Sequence, residues 1–122
     1  VTEFLRQAAG QAEAAGIERR RILIDPGLGF GKTVAHNLCL LRGLSRLAAL
    51  GFPVVVGPSR KSFIGAVLGA DLDDRLPGTL ACVAAARRAG AAVVRVHDVK
   101  PAVQLLTMLE TIETPDATRR EH

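Results

Sequence analysis

Apolar positions in this chain come in short unbroken runs, separated by longer stretches in which they recur at helical spacing. Three runs, 21–25 (RILID), 53–57 (PVVVG) and 91–98 (AAVVRVHD), are rich in β-branched residues and flanked by Gly or Pro; each predicts a buried strand. Residues 3–15 give an Ala-rich helical pattern, with Thr2 as candidate N-cap and Gly16 as stop. Over 36–50, Leu40, Leu41, Leu44, Leu47 and Ala48 share one face of a predicted helix that Gly51 closes. A short helix is predicted over 62–69, a loop over 71–78, and a helix over 78–89 stopped by Gly90. A last amphipathic helix spans 100–112 with Pro101 in its first turn, where proline is tolerated. The polar tail 114–122 is expected to fray, which places the folded domain at 1–113.

Strands this short, apolar on both faces and alternating with helices, imply a parallel sheet covered by helices, hence an α/β fold of three βα units preceded by a helix. Three strands close no barrel, so the pattern reads as part of a larger sheet.

With 48% hydrophobic residues the chain can bury a core and is not disordered. No apolar run is long enough to span a bilayer, and the opening VTEFLRQAAG lacks the basic lead and apolar block of a signal peptide, so a cytoplasmic protein is expected. Cys39 and Cys82 lack metal-site spacing and read as reduced core cysteines. The net charge of +4 suits nucleic acid, a phosphorylated small molecule, or simple solubility. Four Phe with no Tyr or Trp leave few rings for stacking bases, which favours a small anionic ligand over nucleic acid.

Each predicted strand ends in residues a core does not absorb: Asp25 on the first, Gly57-Pro58-Ser59-Arg60-Lys61-Ser62 after the second, Arg95, His97 and Asp98 on the third. Ligands of parallel α/β proteins bind at this carboxyl edge, where loops and helix N-termini converge. Each residue also has a plainer reading. Asp25 before Pro-Gly can cap the following turn, and Arg60-Lys61 can be a solvated pair. Alternation puts Arg95 and His97 on one side of their strand, as ligand groups or as a buried ion pair. The loop DPGLGFGKT ends like a nucleotide-binding loop, but Pro26 stands where that loop needs its first glycine and offers no N–H, and G-x-G-x-x-G is absent.

The stretches DPGLGFGK, VVVGPSRKSFIG, RLPGTLA and VRVHDVK resemble, in letters, order and spacing, the dihydropteroate synthase family of pterin-binding barrels. The resemblance runs from about residue 1 to 112. It implies the C-terminal part of a TIM (β/α)8 barrel, strands six to eight, whose first strands and mobile loops are not in this chain. It also implies condensation of a hydroxymethyl-dihydropterin diphosphate with p-aminobenzoate, helped by Mg²⁺ whose protein ligand belongs to the N-terminal half. Within this chain, Asp25 would accept hydrogen bonds from the pterin, and Lys61 would donate to its ring edge while its stem lines the aminobenzoate pocket. Gly57 would admit the pterin against the backbone, and Phe30 would close over p-aminobenzoate. Ser62 would meet the p-aminobenzoate carboxylate together with a helix N-terminus. Arg95 would lie against the pterin and, with His97, bind the diphosphate, while Arg60 would support Lys61 or a loop carboxylate. Lys61, Arg95 and His97 are the catalytic candidates. The partners implied are the two small substrates, with no nucleic acid and no membrane, and a homodimer in the full-length family member. The competing readings are an inactive synthase paralogue, a methyltransferase-type pterin barrel that should lack SRKSF and RVHD, a nucleotide-binding module, and a non-catalytic fragment that acts only in an oligomer.

Overall fold

The computed structural model describes residues 1–29 and 32–115. Phe30 and most of the expected tail 114–122 lie outside the described residues. The elements run α1 (Thr2–Ala14), α2 (Val34–Arg42), α3 (Leu44–Ala48), β1 (Val55–Val56), α4 (Ser62–Leu68), α5 (Leu76–Arg88), β2 (Val93–Val94) and α6 (Val99–Glu113). Single 3-10 turns form at Arg19–Arg21 and Leu72–Asp74.

β1 and β2 pair in parallel, Val55 opposite Val93 and Val56 opposite Val94. On the other side of β1, Ile24 bridges Val54 in parallel: Ile24 N–H donates to the Pro53 carbonyl and Val55 N–H to the Ile24 carbonyl, each at 2.9 Å. β1 is therefore the central segment, with 21–25 and 91–98 outside it. Both pairings are shorter than the apolar runs predict. Pro53 and Pro58 bracket β1 and Pro26 follows Asp25, and proline supplies no N–H to a ladder. Arg21 is not a strand residue at all; it belongs to the 3-10 turn.

The register fixes two faces. Ile22, Ile24, Val54, Val56 and Val94 join the core with Leu44, Leu47, Phe52, Phe63, Ile64 and Ala86 from the helices and loops. Leu23, Asp25, Val55, Gly57, Val93, Arg95 and His97 alternate with them onto the opposite face. There Leu23 is 56% exposed and Val93 42% exposed, so helices cover only one face of the sheet among the described residues. The polar residues thus stand at one edge of an open face.

The helices depart from their predicted bounds in instructive ways. Thr2 lies inside α1 rather than capping it, and the cap position falls to Val1, whose side chain makes no capping bond. Gly16 does end that helix, at φ +100°, a left-handed value that suits glycine. The single helix expected over 36–50 is two, because the chain turns at Gly43, whose N–H is shared by the Cys39 and Leu40 carbonyls. The turn lets Leu44 and Leu47 bury almost completely while Leu40, Leu41 and Ala48 pack at the margin of the same core. α5 starts at Leu76, ahead of the predicted 78, since Pro77 fits a first helical turn. The basic run 19–21 is partly absorbed by the fold: Arg19 lies 4.0 Å over the Phe52 ring and Arg20 pairs with Glu18.

Candidate functional site

At the carboxyl edge, Asp25 serves two contacts at once. One carboxylate oxygen accepts the Gly27 N–H at 2.8 Å, the turn cap that Asp before Pro-Gly predicts, and the other accepts from Arg95 Nη2 at 2.9 Å. The Arg95–Asp25 pair joins the two outer segments over the central one. Gly57 makes that crossing possible, because a Cβ there would stand 2.6 Å from Arg95 Nη2 and 3.1 Å from its Nε. With side-chain exposures of 58% and 35%, the pair is screened by water and adds little to stability, but both groups are reachable by a ligand.

The segment after β1 fastens to the segment after β2 at two successive positions. Ser59, itself buried, accepts the His97 backbone N–H at 3.0 Å, and its Oγ lies 2.8 Å from His97 Nδ1. Arg60 then reaches the Asp98 carboxylate with both Nε (3.2 Å) and Nη2 (2.9 Å), a forked, charge-assisted contact. That hydrogen bond holds the Asp98 carboxyl below the usual carboxylate range and raises the Arg60 guanidinium further. Of the two partners expected for Arg60, the structure gives it a loop carboxylate. Arg60 is also the one described non-glycine residue with positive φ, +55°. Its N–H donates to Thr79 Oγ1 at 3.0 Å and its carbonyl accepts from Arg75 Nη1 at 3.1 Å. A left-handed arginine costs energy on its own and persists because the surroundings fix it.

Lys61 follows, its stem lying against the loop after Asp25 at Gly29, where an added Cβ would stand 3.0 Å from Lys61 Cδ. Gly29 has φ +91°, and its N–H donates to Asn37 Oδ1 at 2.7 Å, while Asn37 Nδ2 donates to the Thr33 carbonyl at 3.0 Å. Asn37, 2% exposed on α2, is therefore the buried amide that shapes this loop. Lys32 Nζ donates to the Gly27 carbonyl at 2.9 Å, and Thr33 Oγ1 caps α2 by accepting the His36 N–H at 3.1 Å. The Lys-Thr ending thus holds its own loop and starts a helix, which is a structural use for both residues that suggested a nucleotide.

Gly57, Ser59, Lys61, Arg95, Val96 and His97 line a cleft of about 300 Å³. It gathers two cationic side chains and an imidazole, with Asp25 tied to it through Arg95. Arg60 turns away to Asp98, and Ser62, the exposed first residue of α4, stands beside Lys61 without lining the cleft. A larger hollow of about 390 Å³ lies where α1 begins, against α2 and α3. Among the described residues, no three His, Cys, Asp or Glu side chains converge as metal ligands. Sequence reasoning misses Ser59, Thr79 and Asn37. Each is visible only as a polar residue near a motif, and contacts across 38 residues (Ser59–His97) or 19 (Thr79–Arg60) leave no periodicity to read.

Residues 1–97 match the family described as pterin binding enzyme. Among curated relatives, dihydropteroate synthase of Escherichia coli K12 is 41% identical over 117 residues, which is 96% of this chain and 41% of that protein. The inactive dihydropteroate synthase 2 of Mycobacterium tuberculosis H37Rv is 45% identical over 106 residues, 87% of this chain and 33% of that protein. The chain thus spans less than half the length of these relatives. Among solved structures, Xanthomonas albilineans dihydropteroate synthase in complex with 7,8-dihydropteroate superimposes with a TM-score of 0.90 at 44% identity, covering 93% of this chain and 44% of that one. The Yersinia pestis synthase gives 0.86 at 40% identity, with 92% and 53% covered. These structures are TIM barrels, and the fold here is α/β, part of such a barrel. No described helix is long and apolar enough to cross a membrane. The family is one of enzymes, and on both sequence and fold the chain belongs to the pterin binding enzyme family.

Proposed function

We propose that the complete protein carrying this chain is a dihydropteroate synthase. It would condense 6-hydroxymethyl-7,8-dihydropterin diphosphate with p-aminobenzoate to 7,8-dihydropteroate and diphosphate. The observation that carries the reading is the cleft in which Lys61, Arg95 and His97 meet beside Asp25, because this set offers donors for an anion next to an acceptor for ring N–H groups. Solved relatives bound to 7,8-dihydropteroate and to pteroic acid support the same substrate class.

In this mechanism the arylamine nitrogen attacks the pterin's exocyclic methylene carbon; a C–N bond forms, the C–O bond breaks with its electron pair leaving on the diphosphate, and the nitrogen then sheds one proton to the diphosphate or to water. Asp25 orients the pterin by accepting its N–H groups, and Gly57 admits the ring against the backbone. Lys61 donates to the pterin edge with its stem along the aminobenzoate side. Arg95 and His97 hold the diphosphate and stabilise the charge that develops on it. The resemblance would have Phe30 close over p-aminobenzoate and Ser62 meet its carboxylate. Arg60 acts by support, through Asp98. No protein nucleophile is needed.

Mg²⁺ suits a diphosphate-transferring site, yet the described residues do not form a ligand set for it: Asp25 and Asp98 are each paired with an arginine. We place its ligands outside these residues. The domain is taken as 1–113 with 114–122 as tail, and the complete protein as a cytoplasmic homodimer. Apolar residues exposed on α6, Val103, Met108 and Ile112 among them, favour such association.

The test is formation of 7,8-dihydropteroate from the two substrates by the purified complete protein, with diphosphate released in equal amount. A second reading, an inactive paralogue, is favoured by the 45% identity to an inactive mycobacterial relative over this same stretch. Ligand binding without turnover would select it.

A further inference from the structure

Ser59 is no part of the ligand set assigned above, yet its hydroxyl is the most constrained polar group at the cleft. It is 7% exposed and makes its only described hydrogen bonds to His97, one to the backbone N–H at 3.0 Å and one to the ring Nδ1 at 2.8 Å. The backbone N–H can only donate, so Ser59 Oγ accepts there. The hydroxyl proton then has one acceptor in reach, Nδ1 of a neutral imidazole. If Nδ1 carried the proton instead, Oγ would receive two donors and its own proton would be left without a described acceptor on a buried atom. The arrangement that satisfies the Ser59 hydroxyl and His97 Nδ1 together puts the imidazole proton on Nε2.

We propose that Ser59 is a positioning residue that fixes His97 as its Nε2–H tautomer, so that the neutral imidazole presents an N–H donor to an anionic oxygen in the cleft. The class of ligand is a diphosphate or a similar oxyanion, resting on the synthase reading for its identity. Tautomer control by the hydrogen bond at the other ring nitrogen is how proteins decide which nitrogen of a histidine does the work. Lys61 and Arg95 line the same cleft and supply charge, and His97 supplies a directed donor beside them that needs no protonation.

The experiment uses the complete protein with nitrogen-labelled histidine, observed by long-range proton–nitrogen NMR at alkaline pH, where imidazoles are neutral. Wild type should show one His97 species, protonated at Nε2. Ser59→Ala should give a mixture of tautomers and weaken binding of inorganic diphosphate by about 2- to 10-fold, the share of one neutral hydrogen bond. Ser59→Thr, which keeps the hydroxyl, should restore the single species. A wild-type His97 protonated at Nδ1, or a single Nε2–H species that survives in Ser59→Ala, overturns the proposal. The wild-type spectrum decides even if a variant fails to fold. If the tautomer behaves as described but inorganic diphosphate leaves His97 and its neighbours unmoved, Ser59's role stands and the diphosphate assignment of the preceding section falls instead.

Discussion

Arg95 reaches Asp25 across the central strand, Nη2 to carboxylate at 2.9 Å, through the space left by the missing side chain of Gly57. The relationship links the outer two strand ends of the sheet and places a base-like acceptor beside a cation before any ligand arrives. On the proposed function, a pterin that takes the Asp25 carboxylate would share it with Arg95 or displace Arg95, leaving the guanidinium for the diphosphate.

Gly57→Ala should therefore impair the site more than the fold. A Cβ at 2.6 Å from a guanidinium nitrogen forces the far end of a flexible side chain aside rather than the backbone. The thermal midpoint should move little, while kcat/KM for the pterin diphosphate in the complete protein should fall about tenfold or more, in line with one lost charge-assisted contact. Melting curves beside steady-state kinetics check it; unchanged kinetics would separate Gly57 from function.

Lys61→Ala should reduce kcat/KM by more than a surface charge could. Charge-assisted hydrogen bonds contribute roughly 1.5–3 kcal/mol, or about ten- to a hundredfold. An unchanged rate and KM would reject the assignment.

The Arg60–Asp98 contact should be sensitive to acid. Asp98 titrates below its ordinary range in the folded protein because Arg60 bonds its ionised form. Its contribution is therefore complete above the unfolded value, about 3.9, and is lost as pH falls from there through the lower folded value. Asp98→Asn should lower the urea midpoint slightly at neutral pH, by an amount that vanishes in strong acid. A difference that grows in acid would contradict the sign.

The candidate cleft is partly legible in the sequence, because Asp25, Lys61, Arg95 and His97 are polar residues that end or follow apolar runs, although Asp25 also has the structural use of capping its turn. The supports do not stand out. Ser59 and Thr79 bond to partners far along the chain, and no local pattern marks Arg60 for a left-handed backbone, since the fold rather than a glycine imposes it. Gly43 carries a helix-break signal that the leucine periodicity outweighs; the chain turns there, and Leu44 and Leu47 are buried beyond the turn. Apolar runs overstate the strands because they mark burial, whereas pairing also needs N–H groups that the flanking prolines lack.

The 122-residue chain purified alone should form no pteroate and should associate. Among the described residues one face of its sheet is uncovered, Leu23 and Val93 are exposed there, and the outer strand edges have no neighbour. Light scattering should give masses above the monomer's 12.9 kDa. A cooperative monomer with turnover would show that this part of a barrel suffices.

The central claim, that Asp25 reads the pterin while Arg95 and its neighbours read the diphosphate, is tested most directly by paired calorimetric titrations of the complete protein. Asp25→Asn should weaken binding of 6-hydroxymethyl-dihydropterin diphosphate by about tenfold or more and leave inorganic diphosphate bound at least as well, because Arg95 is released; Arg95→Ala should weaken both. Wild-type affinity of Asp25→Asn for the pterin diphosphate would contradict the account.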